Sequence, residues 1–378
     1  MVSLLPLFSA SPAVAAPVTT SARMQPVAIT PAIASLIRQH AVVAIGVSGG
    51  KDSQAAAMAV FEYLDRAHHS GPRLLIHADL GSVEWADSLP TCQKLAERLS
   101  VELVTVRRNQ GGLMERWESR WRSNVLRYEN LGTVTLVPCW STPAMRFCTS
   151  ELKSSKIHAE LKRRFAPLPI INVTGVRREE SRRRAHASVA DQNAANGIWT
   201  WRPIVDWSQA DVFSAIDAWR LDLHPAYRQF GLTRVSCRFC IMSSLADLKA
   251  ATGQPETHDL YRRMVDLECR STFAFQGGRW LGDIAPQLLT AELRNKLAFA
   301  KDMARQRMEL EKRITKPMLY LKGWPTRLLS AAEADILADV RTKMNGLLDL
   351  NADHLDRASI LQRYAELLAL RSRKEKAA

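Results

Sequence analysis

Apolar and polar positions alternate up to about residue 245 in a pattern that predicts strands and helices by turns. Short apolar runs indicate buried strands at residues 42–47, 74–78, 101–106 and 170–174. Between them, apolar residues recur at helical spacing in residues 54–64, 86–99 and 112–128. This alternation predicts an α/β fold with a doubly wound, Rossmann-like parallel sheet, whose ligands bind at the carboxyl ends of the strands.

The pattern changes after about residue 245. Long stretches rich in Leu, Ala, Lys and Arg predict helices without strands at residues 289–314, 331–348 and 358–374. Residues 185–198 are polar and predict a mobile loop, and Ser208 is expected to cap the helix after it. We therefore predict three regions, which are a disordered extension over 1–30, an α/β domain over 31–245 and a helical accessory region with a basic tail over 246–378.

The N-terminal segment has some, but not all, of the features of a signal peptide. Residues 1–17 are apolar and contain Ala13-Val14-Ala15, which resembles a signal-peptide cleavage site. The segment has no basic stretch ahead of its apolar part, and two prolines interrupt it. We therefore expect a disordered extension, or translation that starts at Met24, in preference to a signal peptide.

Composition narrows the class of protein. The 378 residues are 47% hydrophobic, and no run approaches the roughly 18 apolar residues that would span a bilayer. The formal net charge of +14 favours anionic partners, which include nucleotides, nucleic acids and acidic proteins. Six unevenly spaced cysteines do not form a secreted disulfide pattern. They predict a cytoplasmic protein with a local thiol or metal function.

The first strand leads directly into a glycine turn and the start of a helix, an order that creates an anion cradle. The turn is the hexapeptide Ser48-Gly49-Gly50-Lys51-Asp52-Ser53. Its glycines allow positive φ and a close backbone approach, while N–H groups of the first helical turn point at the anion. A Walker A loop would have glycine at Ile45 and Ser or Thr at Asp52. The hexapeptide therefore predicts a phosphate cradle of another type.

Charged residues at the strand ends extend this cradle. Lys51 supplies a point charge, and Asp52 is the expected anchor of Mg²⁺, which prefers one or two carboxylates together with phosphate oxygens. Asp79 is a second carboxylate candidate, and the alternative is that it caps the next turn. Residues 177–184 hold five arginines, whose guanidinium groups suit phosphate or sulfate. A solvated helix face is the alternative for that cluster.

The cysteines offer a second centre. Cys237 and Cys240 form a CxxC pair that could act in redox chemistry, bind zinc or ligate an iron–sulfur cluster. A metal or cluster normally needs four ligands, and Cys148 and Cys139 are the best candidates to complete the set. An iron–sulfur cluster is favoured, with zinc and free thiols as the alternatives. Cys92 and Cys269 lie within helical patterns and are interpreted as packed residues.

Taken in order, these motifs resemble the phosphoadenosine phosphosulfate (PAPS) reductase family, and the hexapeptide resembles the PP-loop of ATP pyrophosphatases. The resemblance covers about residues 40–245 and rests on residues 48–53, 77–79, 146–153, 175–181, 203–207 and 236–240. It implies an adenine nucleotide α-hydrolase-like fold with the nucleotide over the strand ends. It also implies that phosphate or sulfate is gripped by Gly175, Arg177, Arg178 and Ser181.

Departures from the reductase pattern favour a relative that uses ATP itself. Assimilatory reductases have a C-terminal Glu-Cys-Gly-x-His nucleophile, whereas this chain has no cysteine after Cys269. Reductases tend to have a degenerate first loop, whereas this loop is complete. Reductases that bear a cluster have a Cys-Cys pair where this chain has Phe147-Cys148. These differences make the chain more similar to sulfur-inserting enzymes of DNA phosphorothioation and tRNA thiolation.

We therefore predict an enzyme that binds ATP and Mg²⁺, adenylates an acceptor, releases pyrophosphate and assists sulfur transfer to a nucleic acid or another acceptor. The basic surface and the helical C-terminal region would hold a nucleic-acid acceptor or a partner subunit, and a protein sulfur donor is a further expected partner. The expected catalytic residues are Lys51, Asp52, Asp79, Arg177 and Arg178. One alternative is a PAPS or adenylyl-sulfate reductase that makes sulfite with thioredoxin. Another is a non-catalytic nucleotide-binding subunit of a DNA-modification or defence complex.

Overall fold

The computed structural model describes residues 25–376. Most of the predicted N-terminal extension, residues 1–24, lies outside the described residues. Residues 25–30 contact the domain, because the Ala28 N–H donates to the Pro203 carbonyl over 2.7 Å and the Trp201 indole donates to the Ala28 carbonyl over 2.7 Å. Within the described part of the chain, the folded region therefore begins before residue 30.

A single sheet forms the centre of the α/β domain. Its six strands within residues 25–376 are β1 Val42–Val47, β2 Arg73–Asp79, β3 Glu102–Arg107, β4 Ile170–Thr174, β5 Ala190–Gln192 and β6 Trp199–Trp201. They lie in the order β3-β2-β1-β4-β6-β5, and all neighbours are parallel except β5 and β6. The strands predicted from the apolar runs are thereby confirmed.

The strand order places a ligand-binding crevice. From β1 the chain adds β2 and β3 on one side and then returns to add β4 on the other, so the connection reverses between β1 and β4. Gly46 of β1 is paired with Thr174 of β4, and both strands end at this point in glycine-containing turns. In a doubly wound sheet, ligands bind outside the carboxyl ends of the strands where the order reverses. The predicted fold class is confirmed.

Helices cover both faces of this sheet. The helices up to residue 228 are α1 Pro31–Arg38, α2 Lys51–Arg66, α3 Ser88–Leu99, α4 Leu113–Glu129, α5 Phe147–Thr149, α6 Ser155–Phe165, α7 Gln209–Ala218 and α8 Pro225–Arg228. Because strand side chains alternate between faces, Val43 and Ile45 pack with α1, α2 and α7, whereas Val42 and Ala44 pack with α6. A π-helical turn, Ser150–Ser154, joins α5 to α6.

The chain after residue 245 is helical, as its pattern predicts. Its helices are α9 Leu245–Thr252, α10 His258–Ser271, α11 Ala291–Glu311, α12 Ala331–Leu348 and α13 Arg357–Lys376. One apolar core contains residues of α4 together with residues of α10, α11 and α12. Fully buried Arg341 of α12 donates to the carbonyls of Tyr128 and Glu129 at the end of α4. The helical region is thus anchored on the α/β domain.

The polar segment 185–198 differs from its prediction. It contains β5, which pairs with β6 as an antiparallel edge of the sheet. Asp191 pairs with Thr200 in this ladder. Ser208 caps α7 as predicted, because its side chain accepts from the Asp211 N–H.

Within residues 25–376, no helix has the length and apolar character needed to cross a membrane.

Candidate nucleotide and thiol site

The phosphate loop has the predicted geometry of an anion cradle. Gly49 has φ +75°, and a Cβ at this position would lie 3.1 Å from the Ser88 carbonyl oxygen. Gly50 is the N-cap of α2 and supplies no side-chain cap, so the first turn of the helix faces the crevice. The Ser53 hydroxyl closes the loop, because it accepts from the Ser48 N–H and donates to the Gly50 carbonyl.

Lys51 points away from the crevice. Its side chain is buried, and its ammonium group lies 2.8 Å from Asp52 Oδ2 and 5.7 Å from the ring centroids of Phe213 and Tyr227. Its backbone N–H donates to the Tyr227 hydroxyl, which also accepts from the Val235 N–H. Tyr227 therefore ties the phosphate loop to the segment that leads into the CxxC pair.

Asp52 is held by two cations. Its Oδ1 accepts from Arg177 Nε over 2.6 Å, while its Oδ2 faces Lys51. Burial alone would lower the pKa of Arg177, but the negative charge of Asp52 raises it. Each carboxylate oxygen accepts from one cation and keeps a second acceptor site, so a magnesium ion at Asp52 would share the carboxylate with Lys51 and Arg177, and the magnesium role stays a prediction. In this arrangement Asp52 holds Arg177 against the start of α2.

A cavity of about 310 Å³ lies over the crevice between β1 and β4. The hexapeptide contributes Ser48, Gly50, Asp52 and Ser53 to its walls. Four basic side chains also line it, and they come from distant parts of the sequence: Arg146, Lys153, Arg184 and Arg234. The cavity therefore combines helix N–H groups with cationic side chains, an arrangement suited to several phosphate groups.

The three carboxylates that line the cavity are paired with cations. Asp52 faces Lys51 and Arg177, Glu84 accepts from His77 Nε2 over 3.1 Å, and Glu180 is paired with Arg184. The positive charge of the wall is therefore only partly balanced.

Two oxygens on β4 are buried and without a hydrogen-bond partner among the described residues. They belong to Asn172 and Thr174, which both line the cavity. The Asn172 side-chain nitrogen lies 3.4 Å from the His158 ring. Buried polar atoms without partners are rare in folded proteins. Among the described residues, the hydrogen-bonding capacity of these two oxygens beside the cavity is therefore unused.

Only some of the residues at 175–181 that were predicted to bind phosphate or sulfate line the cavity. Gly175 lines the cavity, and a Cβ there would lie 2.5 Å from the Asp52 carbonyl oxygen. Arg178 is paired with Asp206 and donates to the Ala187 carbonyl, while exposed Ser181 accepts from the Arg184 N–H. These contacts position the loop, and Arg184 is the arginine of this cluster that lines the cavity.

Asp79 lies beside the cavity and is not part of its lining. Its carboxylate accepts from the Gly81 N–H over 2.6 Å, and its second oxygen lies 3.6 Å from Arg107. A strand-end aspartate that accepts from the N–H two residues on stabilises a turn. This geometry matches the capping alternative.

The CxxC pair lies next to the cavity. Ser236 lines the cavity, and Cys237 follows it; the Arg238 N–H donates to the Val83 carbonyl, beside Glu84. Burial and the neighbouring Cys240 raise the pKa of Cys237, while Lys153 opposes this rise. The thiol is therefore protonated near neutral pH unless the site changes.

Cys139 has different neighbours. It is fully buried and hydrogen-bonds to the side chain of Ser271, and burial raises its pKa to about 12. Cys148 lies near enough to Cys237 to raise its pKa further. Across residues 25–376, no group of three or more His, Cys, Asp or Glu side chains is arranged to hold a metal ion. The four predicted ligands therefore do not fit a zinc or iron–sulfur site in this arrangement.

Comparison with known families decides the identity of the domain. The profile described as "Phosphoadenosine phosphosulfate reductase domain" matches residues 42–243, slightly more than half of the chain. The chain belongs to the PAPS reductase family. This match covers the sheet and the CxxC pair and ends just before α9.

Several known proteins are similar in sequence to parts of the chain. "Uncharacterized 37.8 kDa protein in gpa 5'region" of Escherichia phage 186 is 28% identical over 54% of this chain and 68% of its own length. Adenosine 5'-phosphosulfate reductase of Burkholderia cepacia is 35% identical, but the alignment covers only 18% of this chain and 27% of the reductase.

Two solved structures align with parts of this chain at low sequence identity. Candida auris phosphoadenylyl-sulfate (PAPS) reductase in its phosphate complex has 14% identity and a TM-score of 0.35, covering 52% of this chain and 80% of that one. U34-tRNA thiolase NcsA of Methanococcus maripaludis, with its [4Fe-4S] cluster, has 14% identity and a TM-score of 0.34. That match covers 62% of this chain and 77% of the thiolase.

Some residues of this PAPS reductase domain were missed by reasoning from sequence. Arg146 and Lys153 lie in a motif that resembles the family, but their sequence context does not indicate that they line the cavity. The same is true of Arg234 and Asn172. The distance of Arg146 and Lys153 from the loop in sequence hides their common site. Their positions relative to the cysteines could have indicated a shared site. Arg146 and Lys153 flank Cys148, and Arg234 precedes the CxxC pair by three residues.

Proposed function

We propose that the protein adenylates an acceptor with ATP, releases pyrophosphate and then helps deliver sulfur to the activated acceptor. The observation that carries this proposal is that one cavity has the phosphate loop on one wall and the residues next to the CxxC pair on another. A nucleotide held there brings its α phosphate near the thiols.

The cavity can neutralise the charge of a triphosphate. Gly50 and Ser53, at the start of α2, line the phosphate-binding end, and Arg146, Lys153 and Arg234 supply cationic groups around it. Asn172 and Thr174 would contact polar groups deeper in the crevice. Positive groups fixed in place before the reaction stabilise the charge that develops on the leaving pyrophosphate.

The first chemical step is displacement at the α phosphorus. An acceptor oxygen attacks that phosphorus, a new oxygen–phosphorus bond forms, and the bond to the oxygen bridging the α and β phosphates breaks. Pyrophosphate leaves with the electron pair, and any proton on the acceptor oxygen passes to solvent. The contribution of the protein is to hold the phosphates and neutralise them.

The second step delivers sulfur. A persulfide on Cys237, supplied by a protein sulfur donor, attacks the activated atom of the acceptor, a bond to sulfur forms and AMP leaves. The Cys240 thiol then attacks the Cys237 sulfur, which releases the thiolated product and leaves a Cys237–Cys240 disulfide. A dithiol reductant reopens this disulfide. Burial and Cys240 raise the pKa of the Cys237 thiol, and the nearby charge of Lys153 only partly opposes that rise, so the reaction begins from the persulfide that the donor supplies.

Reduction of PAPS or adenylyl sulfate is a second candidate, favoured by the position of the same thiol pair beside the cavity. In that reaction, Cys237 sulfur attacks the sulfate sulfur and the adenine nucleotide leaves. Cys240 then releases sulfite as the disulfide forms, and thioredoxin or another dithiol restores the thiols.

Pyrophosphate release tests the first step. The full chain is incubated with ATP, magnesium salt and candidate acceptors, and pyrophosphate is measured. Arg234→Ala removes an exposed cation from the cavity and should weaken ATP binding roughly tenfold or more, since a hydrogen bond to a charged group contributes about 1.5–3 kcal/mol. Arg228→Ala removes an exposed arginine outside this cavity and is the matched control. If no acceptor gives pyrophosphate and Arg234→Ala binds ATP like the wild type, the proposal is wrong.

Thiol variants separate the two steps. Cys237→Ser should retain pyrophosphate release and lose sulfur transfer, whereas buried Cys269→Ala should retain both. Sulfite production from PAPS or adenylyl sulfate with a dithiol, combined with no pyrophosphate release from ATP, would favour the reductase reaction.

A further inference from the structure

A second, larger cavity lies beside the nucleotide cavity. Its volume is about 930 Å³, and its walls come from α5, the π-helical turn, α6 and the turn between β5 and β6. We name it the lateral groove. Ligand pockets typically have volumes of roughly 300–1,000 Å³, and the lateral groove is near the upper end of this range. It therefore has room for a larger ligand than the 310 Å³ cavity does.

The lateral groove is strongly basic. Four cationic side chains line it, namely Arg120, Arg146, Lys162 and Arg183. Its one lining carboxylate, Glu151, accepts from Arg116 over 2.7 and 3.2 Å and is therefore already neutralised. An excess of fixed positive charge in a concave wall concentrates anions.

The groove also offers groups that can contact bases. Asn193 and Asn196 line it with amide groups, and Met145 contributes an exposed apolar side chain. The Asn196 amide is already engaged, because its oxygen accepts from the Ile198 N–H and its nitrogen lies 3.1 Å from His158 Nδ1. The Asn193 oxygen accepts from the Ala195 N–H, and the amide nitrogen of Asn193 can donate to an acceptor on a base edge. An acidic peptide would use the same cations, and it is the competing occupant that the binding experiment below distinguishes.

The two cavities share a wall. Arg146, Thr149 and Ser154 line both. The polar contacts also continue through this wall, because His158 in the groove lies 3.4 Å from the Asn172 amide in the nucleotide cavity and 3.1 Å from the Asn196 amide. A ligand in the groove would therefore lie next to a nucleotide bound in the smaller cavity. The π-helical turn at this wall is of a kind that frequently occurs at functional sites.

We propose that the lateral groove binds the acceptor, a single-stranded nucleic acid, with its phosphodiester backbone on the four cations and one base directed at the shared wall. This inference rests on the proposed adenylation reaction. A single strand is specified because a base inside a duplex is stacked and cannot reach a reacting group in a pocket without being extruded.

Binding of a fluorescently labelled single-stranded oligonucleotide tests the groove, measured by anisotropy on the full chain without ATP. The test variant is Lys162→Ala with Arg183→Ala, two exposed residues that line the groove and do not line the nucleotide cavity. The control is Lys94→Ala with Arg228→Ala, exposed side chains on another surface, which changes the net charge equally. Thermal denaturation of both variants verifies folding.

The test variant should bind the oligonucleotide roughly tenfold more weakly at moderate salt. Its slope of log affinity against log salt should fall by about 1.4, since each phosphate contact on a single strand contributes about 0.7. The control should remain close to the wild type.

Three results would overturn the proposal. These are no oligonucleotide binding by the wild type, equal losses in the test and control variants, and tighter binding of polyglutamate that is lost in the same test variant. The last result would assign the groove to an acidic protein. Because no ATP is present, a protein that binds the oligonucleotide but never releases pyrophosphate would contradict the proposed reaction and leave the groove assignment intact.

Discussion

Substitution of Gly175 tests how closely the end of β4 must approach the phosphate loop. A Cβ at this position would lie 2.5 Å from the Asp52 carbonyl oxygen, 2.7 Å from its carbonyl carbon and 2.9 Å from the Ser53 nitrogen. All three are backbone atoms, so no side-chain rotation relieves the contact. To reach an ordinary contact of 3.4 Å from 2.5 Å, β4 and the first turn of α2 must separate by roughly 0.9 Å.

Gly175→Ala should therefore reduce both stability and ligand affinity. An overpacked contact of this kind destabilises by about 1–3 kcal/mol. The N–H groups of the loop would also be displaced from the phosphates, and a misplacement of about 1 Å can lower activity roughly a hundredfold. We expect ATP affinity to fall at least tenfold, measured by isothermal titration, and the melting temperature to fall by a few degrees, measured by thermal denaturation.

Gly278→Ala is the matched control, because a Cβ at Gly278 would meet no atom within 4 Å. It should leave ATP binding and melting unchanged. If Gly175→Ala bound ATP with wild-type affinity and melted with the wild type, the close approach of β4 would not determine the shape of the cradle.

Three further substitutions test other contacts. Arg341→Lys should destabilise the protein by about 3 kcal/mol in chemical denaturation, since the buried guanidinium donates to four backbone carbonyls and an ammonium group cannot reproduce that geometry. Tyr227→Phe should weaken ATP binding and lower stability by about 1–3 kcal/mol, because the N–H groups of Lys51 and Val235 lose their acceptor. Burial alone would lower the pKa of His77, but hydrogen bonds with Cys92 and Glu84 raise it to about 10. Its contribution to stability is complete below about pH 6.5 and is lost as pH rises through 10, so urea denaturation should show a larger loss between pH 7 and 10 in the wild type than in His77→Gln.

Each of these predictions has a result that contradicts it. Arg341→Lys with unchanged stability would mean that the carbonyls of α4 do not depend on this guanidinium. Wild-type ATP affinity in Tyr227→Phe would remove the proposed link between the phosphate loop and the CxxC segment. Equal pH dependence in the wild type and His77→Gln would mean that His77 is not charged in the folded protein.

Local sequence signals were sufficient for most secondary structure. The apolar run at 42–47 and the mostly apolar run at 170–174, which includes Asn172 and Thr174, are buried on both faces of the sheet, and this character predicts strands. The hairpin of β5 and β6 was missed because β5 is a short, partly exposed edge strand of Ala190, Asp191 and Gln192. Its pairing depends on β6, and no local apolar pattern indicates it.

The candidate site likewise has features that local sequence predicts and features that only the folded structure shows. The loop at residues 48–53 was visible because all of its parts are consecutive, and its cradle depends on backbone conformation that glycine and the helix start determine locally. The direction of Lys51 and the pairing of Asp52 with Arg177 were not visible, since residues 125 positions apart in sequence meet only after the sheet forms. The expected magnesium role of Asp52 did not include that competing partner.

The sequence by itself determined the four longer strands, the glycine turn at the start of α2 and the family, because each depends on contiguous motifs or on a hydrophobic period that reports burial. Only the tertiary structure decided which charges face the nucleotide cavity. It brought Arg146, Lys153 and Arg234 to one cavity, directed Arg177 to a buried ion pair with Asp52 and Arg178 to an exposed one with Asp206, and left Cys139 with neighbours other than those of Cys237. The physical reason is that a long cationic side chain or a thiol acquires its role from the partner it meets, and that partner is set by packing between elements distant in the chain.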